Sequence, residues 1–178
     1  MARAIFFDRD GVINEVVDRG GDCVVAGKKV RFTAPWKYEE FKLKNGVEEV
    51  LKKLKELGFL IILVTNQPDI SYGTMTADEH ERIMAEVRLL PFDDIFVCPH
   101  GRADGCEFKK PKPGMILDAA TKHNIDLSAS FFVGDSENDM LAGFAAGCKT
   151  ILFCTKHNRH VEVGIKVEKL ADIIKMVK

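Results

Sequence analysis

The sequence predicts an α/β protein built on a doubly wound, Rossmann-like parallel sheet. Short apolar runs alternate with segments of helical periodicity, which is the pattern of a parallel sheet covered by helices. The runs are rich in Ile, Val, Leu and Phe and are bounded by turn residues, as expected for strands buried on both faces. The predicted strands are residues 5–7, 60–64, 95–97, 131–133 and 150–153.

The predicted helices carry recognisable start and stop signals. Apolar spacing predicts the first helix over residues 47–57, and Gly58 ends it. Thr76 and Glu79 fit a capping box that opens a second helix, running to about residue 90. The other predicted helices begin at Pro113, a favourable first position, or span residues 137–146 and 168–177.

One segment interrupts this alternation. Residues 18–43 separate the first strand from the first helix by far more than the usual 2–6 or so residues. Long insertions of this kind are often lids or binding loops. We therefore predict a short insertion and no large cap domain, within a single domain spanning residues 1–178.

Composition narrows the classes of function. The 178 residues carry a net charge of -1, which gives no support for a nucleic-acid or membrane partner. No apolar stretch approaches the roughly 20 residues that span a bilayer. Five cysteines, an odd number, do not suggest a secreted disulfide framework, and the first residues do not suggest a signal peptide. We expect a cytoplasmic monomer with reduced thiols.

The first strand ends in two acidic residues one position apart, Asp8 and Asp10. An unpaired charge is too costly to bury in the sheet, so both side chains are expected just beyond the strand. Gly11 permits a sharp turn there. Ligands of open α/β sheets bind beyond the carboxyl ends of the strands, so this pair is predicted to hold a divalent cation and to do carboxylate chemistry.

Polar residues follow the other strands as well. Thr65 and Asn66 follow the second strand, and Asp135 follows the fourth; the third is followed by Cys98 and, further on, by Lys109-Lys110. Parallel strands end at one edge, so carboxylates, a hydroxyl and lysines should gather there. Phosphoryl transfer needs a nucleophile, cationic stabilisation of the phosphoryl oxygens and fixed hydrogen-bond donors. A carboxylate can be that nucleophile, and Mg²⁺ binds carboxylates together with phosphate.

Simpler interpretations exist for each motif. Asp8 and Asp10 could be turn formers, and the lysines could be a solvated charge run. Ser136 and Asp139 could form the N-cap and third residue of a helix, which is compatible with Asp135 binding metal. The four motifs together favour the chemical interpretation.

These motifs, in this order, resemble those of the haloacid-dehalogenase-like phosphatases: residues 7–14, 65–67, 110–115 and 133–139. The branch with the greatest similarity acts on heptose bisphosphates and histidinol phosphate. The resemblance implies a HAD-like fold, Asp8 as nucleophile and Asp10 as general acid and base. It further implies that Thr65 contacts the phosphoryl group with Asn66 nearby and that Lys110 neutralises its charge. Mg²⁺ would be held by Asp8, the backbone carbonyl of Asp10 and Asp135, while Lys109 stands at a substrate-binding position often occupied by arginine.

Cys98, His100 and Cys106 resemble the zinc loop of the heptose bisphosphate phosphatases, over residues 98–110. That loop supplies four ligands, as a structural zinc requires, and Phe108 occupies the last position here. Cys23 of the insertion is a conceivable substitute, although nothing in the sequence argues for it. The sequence therefore supplies three of the four expected zinc ligands, and zinc binding stays an open prediction.

We expect a Mg²⁺-dependent phosphatase of a small phosphorylated metabolite, by resemblance a heptose bisphosphate of a cell-surface polysaccharide (lipopolysaccharide) route. Histidinol phosphate is the alternative substrate. A phospho-acceptor signalling domain is a rival, but its phosphorylated Asp would follow the middle strand, where Cys98 stands. A silent binding module is a further rival, although no motif residue is missing.

Overall fold

Six parallel strands form the central sheet of the computed structural model, which describes residues 1–155 and 157–178. In chain order the strands are β1 (Arg3–Phe7), β2 (Val17–Asp18), β3 (Val24–Val25), β4 (Lys28–Lys29), β5 (Phe32–Thr33), β6 (Phe59–Asn66), β7 (Asp94–Cys98), β8 (Phe131–Gly134), β9 (Lys149–Phe153) and β10 (Ile165–Val167). The sheet order is β10-β9-β8-β1-β6-β7.

This order places a topological switch point between β1 and β8. From β1 the chain builds outward through β6 and β7, and it then returns to the other side of β1 to build β8, β9 and β10. In open α/β sheets the crevice for ligands lies at such a point, outside the carboxyl ends of the strands. The residues that follow β1 and β8 are therefore expected to border a binding site.

Helices cover both faces of the sheet. They are α1 (Val47–Glu56), α2 (Ala77–Arg88), α3 (Gly114–His123), α4 (Glu137–Ala146) and α5 (Leu170–Met176). The alternation of side chains along β1 sends Ile5 and Phe7 toward α1, α2 and α5, whereas Phe6 faces α3 and α4. All three side chains are fully buried, which explains why the strand is an unbroken apolar run.

The insertion after β1 is a compact structure closed at its base. The Glu15 N–H donates to the Lys42 carbonyl, and two antiparallel pairs, β2 with β5 and β3 with β4, form above it. A 3₁₀ helix (Tyr38–Glu40) follows. The Tyr38 N–H donates to the Glu79 carboxylate at 2.6 Å, which fastens this part of the insertion to α2.

The predicted α/β fold is confirmed, with local differences. The short edge strand β10 was not predicted, because a three-residue strand containing an exposed lysine leaves no clear apolar run. Thr76 caps α2 as expected, but Glu79 contacts the insertion instead of completing the capping box. Pro113 is the N-cap of α3 and not its first residue. None of the described helices is long and apolar enough to cross a membrane.

Candidate active site

The turn after β1 brings the chain against the turn after β8. The Arg9 carbonyl accepts backbone N–H groups from Val12, Ile13 and Asn14, which curls the chain back on itself. Gly11 has a φ of +88°, and a Cβ atom at this position would lie 1.9 Å from Oδ2 of Asp135. Only glycine fits both the backbone angle and the close approach, so Gly11 allows the two acidic turns to meet.

Lys110 links the loop before α3 to the ends of β1 and β8. Its buried Nζ lies 2.7 Å from Asp8 Oδ1 and 2.6 Å from Asp139 Oδ1, and it donates to the Val64 carbonyl at 2.9 Å. All three ammonium protons thus have acceptors. Asp139 is 1% exposed, and its other oxygen accepts from the Ser136 hydroxyl and N–H in the capping box of α4.

Negative charge predominates in this cluster. Burial raises the pKa of Asp8 to about 7; Lys110 opposes this rise, whereas Asp139 and Asp10 add to it. Burial, with the charges of Asp139 and Asp8, also raises the pKa of Asp135 well above its usual value. Burial alone would lower the pKa of Lys110, but the two carboxylates beside it outweigh that effect and raise it. The carboxylates exceed what one lysine neutralises.

Asp10 is held by neighbours on three sides. Arg9 donates to both of its oxygens, from Nη2 at 2.9 and 3.0 Å and from Nε at 3.1 Å. Asn14 Nδ2 donates to Oδ1 at 3.0 Å, and Gln67 Nε2 donates to Oδ2 at 2.7 Å. The carboxylate retains 15% exposure and borders a cavity at this end of the sheet.

Most of the predicted catalytic, substrate-binding and magnesium-binding residues line the cavity: Asp8, Asp10, Asn66, Lys109, Lys110 and Asp135. Among the described lining residues, Thr65 does not appear. The Thr65 side chain is fully buried and its hydroxyl accepts from Gln67, so its contact with a phosphoryl group stays a prediction. Asn66 donates to the Lys110 carbonyl and accepts from the Lys110 N–H, both at 3.1 Å, and thereby fixes that lysine. Lys109 lines the cavity and donates to the His100 carbonyl at 2.8 Å.

A cavity of about 730 Å³ opens above this cluster. The carboxylates of Asp8, Asp10 and Asp135 lie in its lining, and the insertion and the loop over residues 98–110 form other parts of the wall. Basic side chains contribute to these outer parts: Lys28, Arg102, Lys109 and Lys112. An acidic floor below a basic wall suits a cation together with an anionic ligand.

The residues at the floor fit a magnesium ion. One oxygen each from Asp8, Asp135 and Asp139 lie within 4.8 Å of one another. Mg²⁺ takes oxygen ligands, usually one or two carboxylates together with phosphate and water. Asp8 and Asp135 border the cavity, and the raised pKa of each shows that added positive charge would be favoured.

A second cluster lies in the loop after β7. Cys98 Sγ is 3.7 Å from His100 Nδ1 and 3.9 Å from Cys106 Sγ. Phe108, where a fourth ligand would be expected, is 45% exposed, and Cys23 does not belong to the cluster. Burial raises the pKa of Cys98. These three side chains could serve as ligands of a soft metal ion such as zinc.

Sequence reasoning gave too little weight to several residues of the site. Asp139 was interpreted as the third residue of a helix, yet its carboxylate binds Lys110 as closely as Asp8 does. Arg9 and Gln67, which hold Asp10, were not singled out. Asn158 donates to the carbonyls of Asp135 and Phe153. Its position in an ordinary loop sequence gave no signal of that role.

Comparison with known proteins agrees with this fold. A family model described as haloacid dehalogenase-like hydrolase matches residues 14–147, which is most of the chain. The chain belongs to the haloacid dehalogenase-like hydrolase family.

Named relatives cover nearly the whole chain. The D-glycero-beta-D-manno-heptose-1,7-bisphosphate 7-phosphatase of Helicobacter pylori strain J99 is 38% identical over 162 residues, covering 87% of this chain and 84% of that protein. The enzyme of the same name from Pasteurella multocida is 34% identical over 195 residues, covering 100% and 98%. A crystal structure of D,D-heptose 1.7-bisphosphate phosphatase from B. bronchiseptica, complexed with magnesium and phosphate, has a TM-score of 0.81 at 29% identity and covers 98% of this chain and 97% of that one.

Proposed function

We propose that this protein is a Mg²⁺-dependent phosphatase that hydrolyses a phosphomonoester through an aspartyl phosphate at Asp8. The observation that carries the proposal is the meeting of Asp8, Lys110 and Asp135 at one end of the sheet, under a cavity with a basic wall. A relative whose crystal structure contains magnesium and phosphate supports it.

Each residue has a proposed part in binding. Lys110 counters the charge of the phosphoryl group, Thr65 and Asn66 position it, and Lys109 contacts the rest of the substrate. Asp8, the backbone carbonyl of Asp10 and Asp135 hold Mg²⁺. When bound, the cation neutralises charge on the phosphoryl oxygens and offsets repulsion between Asp8 and the anionic substrate.

The reaction proceeds in two steps. A carboxylate oxygen of Asp8 attacks phosphorus, the bond from phosphorus to the ester oxygen breaks, and the leaving oxygen takes a proton from Asp10. Asp10 then removes a proton from water as the water oxygen attacks phosphorus. The bond from phosphorus to Asp8 breaks, which releases inorganic phosphate and restores both carboxyl groups to their starting states.

A phosphorylated heptose is the proposed substrate, with a heptose bisphosphate as the first candidate. Relatives at 34% and 38% identity are named for that reaction. Lys28 and Arg102 give the outer wall positive charge, which suits a substrate that carries a second phosphate.

Turnover by the purified protein tests this proposal. Heptose 1,7-bisphosphate, heptose monophosphates and histidinol phosphate are offered with Mg²⁺, and phosphate release is measured. We expect the greatest kcat/KM with the bisphosphate, and no turnover by Asp8→Asn or in EDTA. Full activity of Asp8→Asn would contradict the role of Asp8. A greater kcat/KM with histidinol phosphate would contradict the proposed heptose substrate and assign histidinol phosphate instead.

We propose in addition that Cys98, His100 and Cys106 bind zinc. The support is their mutual distances of 3.7 and 3.9 Å around Cys98. Metal analysis of protein purified without chelators should give about one zinc per chain, reduced by Cys106→Ser. Zinc-free protein would contradict this site.

A cytoplasmic location and a monomeric state also stay predictions. Light scattering of the purified protein tests the oligomeric state.

A further inference from the structure

Arg9 is the largest fully buried side chain among the described residues, and it stands between the two acids of the Asp-x-Asp motif. Its guanidinium has no exposure, although a buried charge is costly unless a partner compensates for it. Nε and Nη2 both donate to the Asp10 carboxylate, and Nη1 contacts the Met84 sulfur at 3.6 Å. Arg9 therefore directs its charge at one carboxylate.

The geometry of this pair restricts the orientation of Asp10. A guanidinium is a planar fork whose donors meet both oxygens of a carboxylate, whereas a lysine ammonium acts as a point charge. With Nη2 at 2.9 and 3.0 Å from the two oxygens of Asp10, the plane of the carboxylate is tied to that of the guanidinium. A guanidinium buried against the core gives Asp10 a fixed support.

Two amide side chains complete the support. Asn14 Nδ2 donates to Oδ1 of Asp10 at 3.0 Å, and Gln67 Nε2 donates to Oδ2 at 2.7 Å. Asn14 is fully buried and Gln67 is 1% exposed, so the packing around them restricts both amides to this orientation. These contacts hold the Asp10 carboxylate in place.

We infer that Arg9 is a positioning residue, which aligns the Asp10 carboxyl group for the two proton transfers at the phosphoryl site. This inference rests on the proposed phosphatase function. Arg9 does not touch the substrate; it acts through Asp10. Its loss therefore impairs the steps that need proton transfer and spares a step that does not.

The test uses Arg9→Met, which keeps the apolar stem and removes the donors. Arg3→Met is the matched control, since Arg3 lies exposed at the opposite end of β1. Each variant is assayed with a heptose phosphate, whose alcohol leaving group needs a proton, and with p-nitrophenyl phosphate, whose leaving group does not. General acid–base catalysis contributes about 10²- to 10⁴-fold, so we expect kcat for the heptose phosphate to fall at least about 100-fold in Arg9→Met, with KM nearly unchanged.

Rapid mixing with p-nitrophenyl phosphate gives the sharper signature. In Arg9→Met, phosphorylation of Asp8 proceeds, but hydrolysis of the aspartyl phosphate needs Asp10 as base. We expect a burst of about one p-nitrophenolate per active site, followed by slow turnover. Asp10→Asn should behave alike, and Arg9→Met should cause no further loss in the Asp10→Asn background, because residues acting through one group are not additive.

The outcomes separate the two hypotheses. If Arg9→Met loses equal activity on both substrates and shows no burst, or if it keeps wild-type activity on both, the role of Arg9 is overturned while the proposed function stands. Absence of turnover by the wild-type protein on every phosphomonoester would overturn the proposed function and this inference with it. If Arg9→Met does not fold, Arg9→Lys keeps the charge without the fork; it should show the same burst, and normal turnover on both substrates would count against the inference.

Discussion

At the scale of single residues, Lys110 is the central element of the charge balance in the site. Its three donors are shared among Asp8, Asp139 and the Val64 carbonyl, so it is the common partner of two buried acids. Removing one member of a buried ion pair leaves an uncompensated charge, which is costlier than losing a surface pair.

Lys110→Met should lower the free energy of unfolding by about 3–5 kcal/mol at neutral pH without Mg²⁺, because Asp8 and Asp139 would then share no cation. Lys112→Met is the matched control: Lys112 is a half-exposed lysine two residues further on, paired with the exposed Glu107, and its loss should cost about 1 kcal/mol or less. Urea denaturation measures both values. Equal losses for the two variants would contradict the structural role of Lys110.

The sequence revealed the residues at strand ends better than it revealed their contacts. Asp8, Lys110 and Asp135 could be placed together because parallel strands end at one edge. The direction in which each side chain points could not be predicted in this way, because it depends on neighbours that are distant in sequence. Local patterns therefore did not reveal that Asp139 pairs with Lys110. Nor did they reveal that Arg9 donates to Asp10 while it contacts the Met84 sulfur.

At the scale of elements, the turn after β1 depends on Gly11. A side chain there would combine an unfavourable positive φ with a Cβ atom only 1.9 Å from the Asp135 carboxylate. The turns after β1 and β8 could then keep their close approach only with backbone movement.

Gly11→Ala should destabilise the protein by about 1–2 kcal/mol through the backbone angle and should also abolish phosphatase activity by separating the acidic turns. Gly58→Ala is the control, because Gly58 has a φ of +85° and no other atom of residues 1–155 and 157–178 lies within 4 Å of the added Cβ, apart from those of its chain neighbours. It should show the stability loss alone. Full activity of Gly11→Ala would contradict a need for the close approach of the two turns.

Polar contacts join the insertion to the rest of the protein and also link its own residues to one another. Trp36 Nε1 donates to Asp69 Oδ1 at 2.8 Å, and Arg19 contacts both oxygens of Glu40 at 2.6 Å while it stacks on the Trp36 ring. Hydrogen bonds from Arg19, opposed by burial and aided by the Trp36 N–H, lower the pKa of Glu40 to about 2.

This pKa shift predicts a stability effect that depends on pH. A carboxyl group whose pKa is lowered on folding contributes stability that is fully present above its unfolded value of 4.5 and is lost as the pH falls toward 2. After allowance for solvent screening, Glu40→Gln should cost about 1 kcal/mol at pH 7 and less than half of that at pH 3.

Glu39→Gln, which changes an exposed neighbour, is the control for this measurement. Its difference from the wild type in denaturant unfolding should stay small at both pH values. A Glu40→Gln difference that is the same at pH 7 and pH 3 would contradict the assigned pKa shift.

Elements with strong apolar patterns were predictable, and those defined by distant partners were not. The bounds of α4, from Glu137 to Ala146, follow from the Ser136 cap and Gly147 and match the prediction. The strands of the insertion are two residues each, so their pairing depends on the closure of its base. Glu79 fitted a capping box locally but bonds with Tyr38 of the insertion.

At the scale of the whole molecule, the order of strands explains why distant residues share one site. The switch between β1 and β8 opens a crevice, and the carboxyl ends of β1, β6 and β8 deliver their polar residues to it. The fold thereby holds several acids close together, which disfavours the metal-free protein and favours binding of a cation.

Mg²⁺ should therefore raise the thermal unfolding midpoint of the wild-type protein, since an ion that binds the folded state stabilises it. Asp135→Asn should abolish this rise. Because burial and the charges of Asp139 and Asp8 raise the pKa of Asp135, the variant should be at least as stable as the wild type in EDTA at pH 8. Calorimetry with and without Mg²⁺ measures both; a full Mg²⁺ response in Asp135→Asn would exclude that carboxylate as a ligand.

The most direct measurement is identification of the phosphorylated residue during turnover. Enzyme mixed with a heptose phosphate and Mg²⁺ is quenched in acid within milliseconds, and its peptides are mapped by mass spectrometry. We predict a phosphoryl group on Asp8, absent in Asp8→Asn. Continued turnover with no phosphorylated residue, or with the phosphoryl group on another side chain, would contradict the account.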